Sequence, residues 1–134
     1  MSNYEEQIIA LLQRSKIKFE REKRFSDLKQ GKYRFDFEVF VKGGRAIIEV
    51  NGEQHYMSNP KFYSSRAEFK GAQERDRRKI SYCLAHQIPL YIIPYWEIEN
   101  LKSADDIFQE KFRARSRWKN DMDWQRFQNL TKSQ

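Results

Sequence analysis

The sequence predicts an α/β domain in which helices flank a mixed β-sheet, and three patterns indicate it. Residues 33–41 and 45–51 alternate polar and apolar side chains on either side of a glycine pair, which is typical of a β-hairpin. Residues 65–86 follow a helical period. Residues 88–94 (IPLYIIP) are almost wholly apolar, as expected of a strand buried on both faces. A helix between the hairpin and this strand favours a parallel crossover connection.

Two further elements precede the hairpin. Residues 3–14 are predicted to form an amphipathic helix, with Ile8 and Leu12 on its apolar stripe. Residues 17–25 (IKFEREKRF) alternate loosely and are predicted to form the first strand of the sheet.

The segment after the last strand contains a helix-start signal. Ser103 and Asp106 have the spacing of a capping box, which predicts a helix over about 103–115. The remaining residues, 116–134, are polar with interleaved aromatic side chains and are interpreted as a tail or a peripheral helix. The chain is therefore expected to hold one domain, over 1–115, followed by this extension.

The hairpin places two acidic side chains on one face of the sheet. If Gly43 and Gly44 form the turn, Glu38 faces Glu49, and Asp36 lies one step out of register with Glu49. The other face is then wholly apolar and must belong to the core. Its members are Phe35, Phe37, Val39, Val41, Ala46, Ile48 and Val50.

Composition excludes several classes of protein. The chain of 134 residues has 26 Lys and Arg against 19 Asp and Glu, a net charge of +7 that favours polyanionic partners such as nucleic acid. A single cysteine, Cys83, excludes a disulfide framework and an all-cysteine zinc site. No apolar run is long enough to cross a membrane. The first residues carry acids where a secretory signal carries bases, so a cytoplasmic protein is expected.

The basic residues form two clusters that are candidates for binding the nucleic-acid backbone, because phosphate-tracking surfaces need cations. Aromatic side chains within the second cluster can stack on bases. An alternative reading is an ordinary solvated helix face. The clusters are Arg66, Lys70, Arg75, Arg77, Arg78 and Lys79, and Lys111, Arg113, Arg115, Arg117 and Lys119.

Four acids are predicted to point towards one place. Asp36 and Glu49 lie on adjacent strands within reach of a shared ion, and carboxylates at that spacing suit Mg²⁺ or Mn²⁺. Glu5 shares the buried stripe of the first helix, and Asp76 shares the apolar stripe of the long helix. Each alone is compatible with a salt-bridged acid at the edge of a core, but together they predict a shared cation site.

Two residues just beyond the second hairpin strand are candidate catalytic groups. A neutral His55 can accept a proton from a metal-bound water, although a histidine in a loop can also be a plain surface residue. Gln54 can orient that water or a phosphate group.

These motifs resemble the PD-(D/E)XK nuclease superfamily, in its very-short-patch-repair-like branch with Glu–Asp–x–His–Asp homing endonucleases. The similar stretches are Glu5, RFDFEV, AIIEVNGEQHY, RDRRK and IPLYIIPYWEIEN, which together span about residues 2–100. The resemblance implies a restriction-endonuclease-like core with the order α-β-β-β-α-β. The last stretch also resembles small bacterial and phage proteins of that branch.

The resemblance also implies residue roles. Asp36 and Glu49 would bind the metal ion, with the Val50 carbonyl as a third ligand, and His55 would act as general base. Glu5 would hold a metal-bound water or a second ion. Asp76 would orient His55 or complete the site. The family pattern has lysine two residues after the second acid, where this chain has Asn51.

The function expected from these features is a metal-dependent DNA endonuclease that hydrolyses phosphodiesters, either nicking or cutting both strands. One alternative is a non-catalytic nucleic-acid-binding module on the same scaffold. Another is a phage-type interaction protein with a host protein partner. A double-strand cutter would favour a homodimer, whereas a nickase would not.

Overall fold

The computed structural model describes residues 3–52 and 65–115. Within them the chain forms two α-helices and a four-stranded sheet. His55 and Gln54 lie outside the described residues, as does the extension 116–134. The elements are α1 (Asn3–Arg14), β1 (Lys18–Arg24), β2 (Arg34–Val41), β3 (Gly44–Asn51), α2 (Arg66–Ala85) and β4 (Leu90–Pro94).

The sheet is mixed, and its helices pack on opposite faces, which confirms the α/β prediction. Its strand order is β1-β2-β3-β4, antiparallel except for the parallel β3–β4 pair. Ile8 and Leu12 of α1 belong to the core cluster on one face. Ile80 and Cys83 of α2 belong to the cluster on the other face. No helix of the described ranges is long and apolar enough to cross a membrane.

The hairpin turn lies one residue earlier than predicted. Val41 pairs with Gly44, so Lys42 and Gly43 form the turn, and Gly43 takes a positive φ of 78° that glycine adopts without steric cost. The prediction that Glu38 faces Glu49 is therefore wrong, because Glu38 pairs with Ile47. The pairing shifts by two residues, an even number, so the shift by itself moves no side chain to the other face of the sheet.

One residue of the predicted apolar face lies on the opposite side of the sheet. Phe35 belongs to the cluster under α2 and meets the Phe25 ring edge-on at 5.7 Å. Phe37, two residues later, belongs to the cluster under α1. Regular alternation in β2 is therefore interrupted between these two residues, at Asp36.

The predicted helix over 103–115 is wrong, although its capping box is present at Ser103. Two short 3₁₀ helices, Ala104–Phe108 and Glu110–Phe112, are separated by an extended Gln109. The following backbone then donates from the Ala114 N–H to the Leu90 carbonyl at 2.9 Å. The residues after Phe112 are extended because they cover part of the outer edge of β4. The backbone N–H and C=O groups of that edge would otherwise lack hydrogen-bond partners.

Candidate functional site

The candidate site lies where β2 and β3 stop pairing. Their regular register ends at Phe37 and Ile48, and one further step places Asp36 directly opposite Glu49. The Val50 N–H donates to Asp36 Oδ2 at 2.7 Å, and the Asp36 N–H donates to Glu49 Oε1 at 3.3 Å. The two acidic side chains therefore replace the next rung of backbone hydrogen bonds. The sequence predicted that these acids are neighbours, but as a diagonal rather than a direct pair.

Lys79 of α2 reaches the same carboxylate from above the sheet. Its Nζ lies 2.8 Å from Glu49 Oε1, and both side chains are about nine-tenths buried. The ammonium also lies 4.9 Å from the centroid of the Phe35 ring, a cation–π contact. The sequence grouped Lys79 with the exposed cations of its helix, whereas the structure places it inside, against the acids.

Burial dominates the electrostatics of the site. It raises the pKa of the Glu49 carboxyl to about 8, and the Lys79 ammonium only partly offsets this effect. Burial also raises the pKa of Asp36, against the hydrogen bond from the Val50 N–H. Burial acts to lower the pKa of Lys79, but attraction to Glu49 outweighs it, so the pKa of Lys79 is raised. Lys79 therefore keeps its positive charge, in a site where carboxyl groups outnumber cations.

The other two predicted acids also lie near this site. Asp76 lines a small cavity of about 10 Å³ together with Glu49, Asn51 and Lys79. Ile80, Leu90 and Ile92 complete its lining, and a cavity of this size is enough for about one water molecule. Glu5 of α1 lies near Asp36, because its negative charge contributes to the raised pKa of that carboxyl. The structure thus groups Asp36, Glu49 and Asp76 around Lys79, and Glu5 acts on this group from the α1 side through Asp36.

Two observations limit how this site can bind a metal ion. Among the described ranges, no group of three or more His, Cys, Asp and Glu side chains is arranged to hold one. Asp36 Oδ2 already accepts a hydrogen bond from the Val50 N–H, whereas the ligand that the resemblance implies at Val50 is its carbonyl. Paired carboxylate oxygens still match the hard oxygen ligands that Mg²⁺ prefers, provided that Glu49 exchanges part of its contact with Lys79 for the ion.

The cations of α2 divide into two groups. Lys70, Arg75 and Arg78 lie on the exposed face, where a nucleic-acid backbone can reach them. Arg77 is half-buried and lies 3.3 Å from Glu74, which also pairs with Arg78. Arg66 begins the helix.

The second predicted basic cluster is only partly described. Lys111 lies 3.6 Å from the buried Glu97, and Arg115 pairs with Glu110. Arg113 forms a backbone bridge with Tyr91. Arg117 and Lys119 lie outside the described residues.

Lys79 is the site residue that sequence reasoning placed wrongly, and a signal for it was present. Asp76, Lys79 and Cys83 are spaced by three and four residues, so they share one face of α2. A lysine on the stripe that carries both a buried cysteine and a predicted site acid must either be paired or change its ionisation. Position 51, where the resemblance expects lysine, holds a buried asparagine instead.

Comparison with known proteins gives one partial match. No protein-family model matches the chain, and no solved structure matches it. The chain is similar to Uncharacterized protein 307L of Invertebrate iridescent virus 6, with 28% identity over 67 residues. This match covers 50% of the chain and 34% of that protein, so the chain spans about a third of its viral relative.

Proposed function

We propose that the protein is a metal-dependent DNA endonuclease with a restriction-endonuclease-like core, and that Asp36 and Glu49 hold Mg²⁺ or Mn²⁺. The observation that carries the proposal is the pairing of the buried Glu49 carboxylate with the half-buried Asp36 carboxylate, at a point where two strands stop pairing. Three acids, Asp36, Glu49 and Asp76, interact there with one buried lysine. Buried carboxylates in excess over cations repel one another unless a proton or a metal ion lies between them.

The bound ion would polarise the scissile phosphate and lower the pKa of a coordinated water. His55 would take the proton from the attacking water, with Gln54 orienting it. Glu5 would hold a water or second ion on the α1 side, and Asp76 would orient His55 or complete the site.

Lys79 supplies the positive charge that Asn51 cannot. An asparagine has no charge to stabilise a transition-state phosphate, whereas an ammonium fixed in a buried site does so strongly. Lys79 Nζ lies 2.8 Å from Glu49 Oε1, so a phosphate bound beside this carboxylate would lie within its reach. We therefore assign Lys79 the role that the family pattern gives to the lysine two residues after the second acid.

The exposed cations of α2 would bind the phosphate backbone of the substrate. Lys70, Arg75 and Arg78 project from the helix that also carries Asp76 and Lys79, so a backbone that follows them passes the acids. DNA is proposed over RNA from the family resemblance, which is an argument by analogy.

The deciding experiment is cleavage of supercoiled plasmid with Mg²⁺ or Mn²⁺. The wild-type protein is compared with Asp36→Ala, His55→Ala and Lys79→Met, and with Glu38→Gln as a control buried acid outside the site. We expect nicking that EDTA abolishes, that the three site variants lose, and that the control retains. Nicking that survives both Asp36→Ala and His55→Ala would reject this site.

The second candidate is a non-catalytic nucleic-acid-binding module. The direct contact of Lys79 with Glu49 favours it, because a carboxylate paired with a lysine needs no metal ion. This function requires DNA affinity that neither EDTA nor Asp36→Ala changes, and no cleavage by wild-type protein. A gel-shift titration with and without EDTA separates the two candidates.

A further inference from the structure

The two strands at the outer edge of the sheet change faces at the same level. In β1, Phe19 packs on the α1 side and Arg21 lies 3.9 Å from Glu5 of α1. Lys23, which regular alternation would place on that same side, instead lies 3.5 Å from Glu38 and over the Phe25 ring, on the α2 side.

The neighbouring strand makes the matching change. Phe37 of β2 packs on the α1 side, whereas Phe35 packs on the α2 side. The β1–β2 register has the same offset on both sides of this point, with Arg21 opposite Phe37 and Lys23 opposite Phe35, although the ladder skips the pair between them. The two changes therefore occur at one facing pair, Glu22 on β1 and Asp36 on β2.

Glu22 has the backbone conformation that such a change requires. Its φ is 57°, in the left-handed region, and it is the one described residue inside a β-strand with a positive φ. This conformation is unfavourable for any residue with a side chain, because its Cβ comes too close to the following carbonyl oxygen. Strain of this kind persists where the surrounding structure enforces it, and often where a functional side chain must be held.

The face change determines what Asp36 can reach. In a regular strand the side chain stands perpendicular to the sheet, whereas the backbone N–H groups of the neighbouring strand lie in its plane. A regular β2 would therefore hold the Asp36 carboxylate away from the Val50 N–H. In this structure the two groups are hydrogen-bonded at 2.7 Å, which places the carboxylate near the plane of the sheet and beside Glu49.

We propose that Glu22 is a positioning residue for the site, and that its left-handed backbone turns β2 so that Asp36 faces Val50 and Glu49. The Glu22 carboxylate adds a second link, because it accepts a hydrogen bond from Arg34 of β2 at 2.5 Å. The effect on metal binding rests on the proposed nuclease function, whereas the geometry does not.

Three substitutions separate the backbone role from the charge. Glu22→Gly removes the side chain but adopts the left-handed region freely. Glu22→Val opposes that region strongly, because a β-branched side chain clashes there. Glu22→Gln keeps a side chain of the same length, and therefore the same conformational cost, and removes only the charge. Glu22→Ala is a milder substitute for valine if Glu22→Val does not fold.

The first readout is hydrogen exchange of the Val50 amide in metal-free protein, followed by ¹⁵N NMR. Ile48, which pairs with Phe37 in the regular ladder, is the internal reference. We expect Glu22→Val to lower Val50 protection about tenfold more than that of Ile48, and Glu22→Gly to preserve it. Equal Val50 protection in the Gly and Val variants would overturn the proposal.

The second readout is Mn²⁺ affinity by calorimetry, which tests the consequence for the site. We expect a loss of about tenfold in Glu22→Val and affinity close to wild type in Glu22→Gly and Glu22→Gln. Unchanged affinity in Glu22→Val despite a lost Val50 bond would overturn a positioning role for metal binding. Failure of the wild-type protein to bind Mn²⁺ would count against the proposed function, and the Val50 result would still decide the geometry.

Discussion

Two buried glutamates on the α2 side of the sheet have the same chemistry and different surroundings. Glu38 and Glu49 are 3% and 7% exposed. Glu38 lies 3.5 Å from Lys23 and 3.1 Å from Arg45, two cations that also reach solvent. Both cations lie over the Phe25 ring, which helps to hold them in place.

Glu49 has one buried cation and two acidic neighbours. Lys79 is its ion-pair partner, while the charges of Asp36 and Asp76 both act to raise its pKa. Glu38 thus has two cations to compensate one negative charge. Glu49 shares a single cation with two other acids. The comparison distinguishes Glu49 as the candidate site residue, because its burial is matched by too few nearby cations, whereas that of Glu38 is compensated.

The largest expected difference between the two glutamates is in catalysis. Under the proposed function, Glu49→Gln should lower Mg²⁺-dependent plasmid nicking by about 1,000-fold, equal to ~4 kcal/mol in the activation barrier, because the proposed metal ligand loses its charge. Glu38→Gln should stay within about threefold of wild type. Initial nicking rates at matched protein concentration measure both, and equal losses in the two variants would remove the distinction.

The next effect is on the stability of the metal-free protein. Lys79→Met should lower the free energy of unfolding by about 3 kcal/mol at pH 8.5, because the buried Glu49 loses its cation and must take up a proton at a pH far above the usual pKa of a glutamate. The double variant Lys79→Met/Glu49→Gln should recover most of the loss. Urea denaturation measures all three proteins, and a double variant no more stable than Lys79→Met would show that the ion pair is not the cause.

The pH dependence of stability should follow from the raised pKa of Glu49. Its pKa is about 8 in the folded protein, against a usual value of 4.5, so the folded state holds the proton more tightly. The stabilisation is fully present below pH 4.5 and is lost as pH rises through 8, by about 5 kcal/mol at most in metal-free protein.

Denaturation between pH 5 and 9 measures this slope. The groups that face Glu49 there are Lys79 and Asp76 from α2 and Asp36 from β2. Glu49→Gln should flatten the profile and Glu38→Gln should not. A wild-type stability that rises across this range would contradict the assignment.

The smallest effects belong to the cations around Glu38. Arg45→Met should lower the free energy of unfolding by less than about 1 kcal/mol, because its side chain is 44% exposed and Lys23 remains as a partner. The loss should shrink further in 0.5 M NaCl, where exposed charges are screened. A salt-independent loss as large as that of Lys79→Met would mean that the two glutamates are held alike.

The helices and strands that the sequence predicted well are those whose local pattern and burial agree. The apolar stripe of α1, the helical period of α2 and the apolar run of β4 each specify their element through neighbouring residues. The segment 103–115 shows the opposite case, because its capping signal is real but the chain is drawn out along the edge of β4. Local propensity cannot anticipate a tertiary contact that competes with a short helix.

In the candidate site, too, local patterns predicted some features, and tertiary contacts decided the others. Period-two alternation was enough to bring Asp36 and Glu49 together, since a shift of two residues in the hairpin leaves faces unchanged. It failed at Phe35, because alternation assumes a regular strand and the face change depends on Glu22 in a neighbouring strand. It also failed for Lys79, whose position was treated as one of a run of exposed bases.

The order of elements, the hairpin, the crossover and the identity of the acids were determined by the amino-acid sequence itself, because hydrophobic periodicity and turn residues act over short distances along the chain. Only the tertiary structure decided which cation meets Glu49 and how Asp36 is aimed. Both depend on groups far apart in the chain, Lys79 on a helix packed across the sheet and Glu22 on an adjacent strand. Their energies come from burial and from charges brought close only by folding.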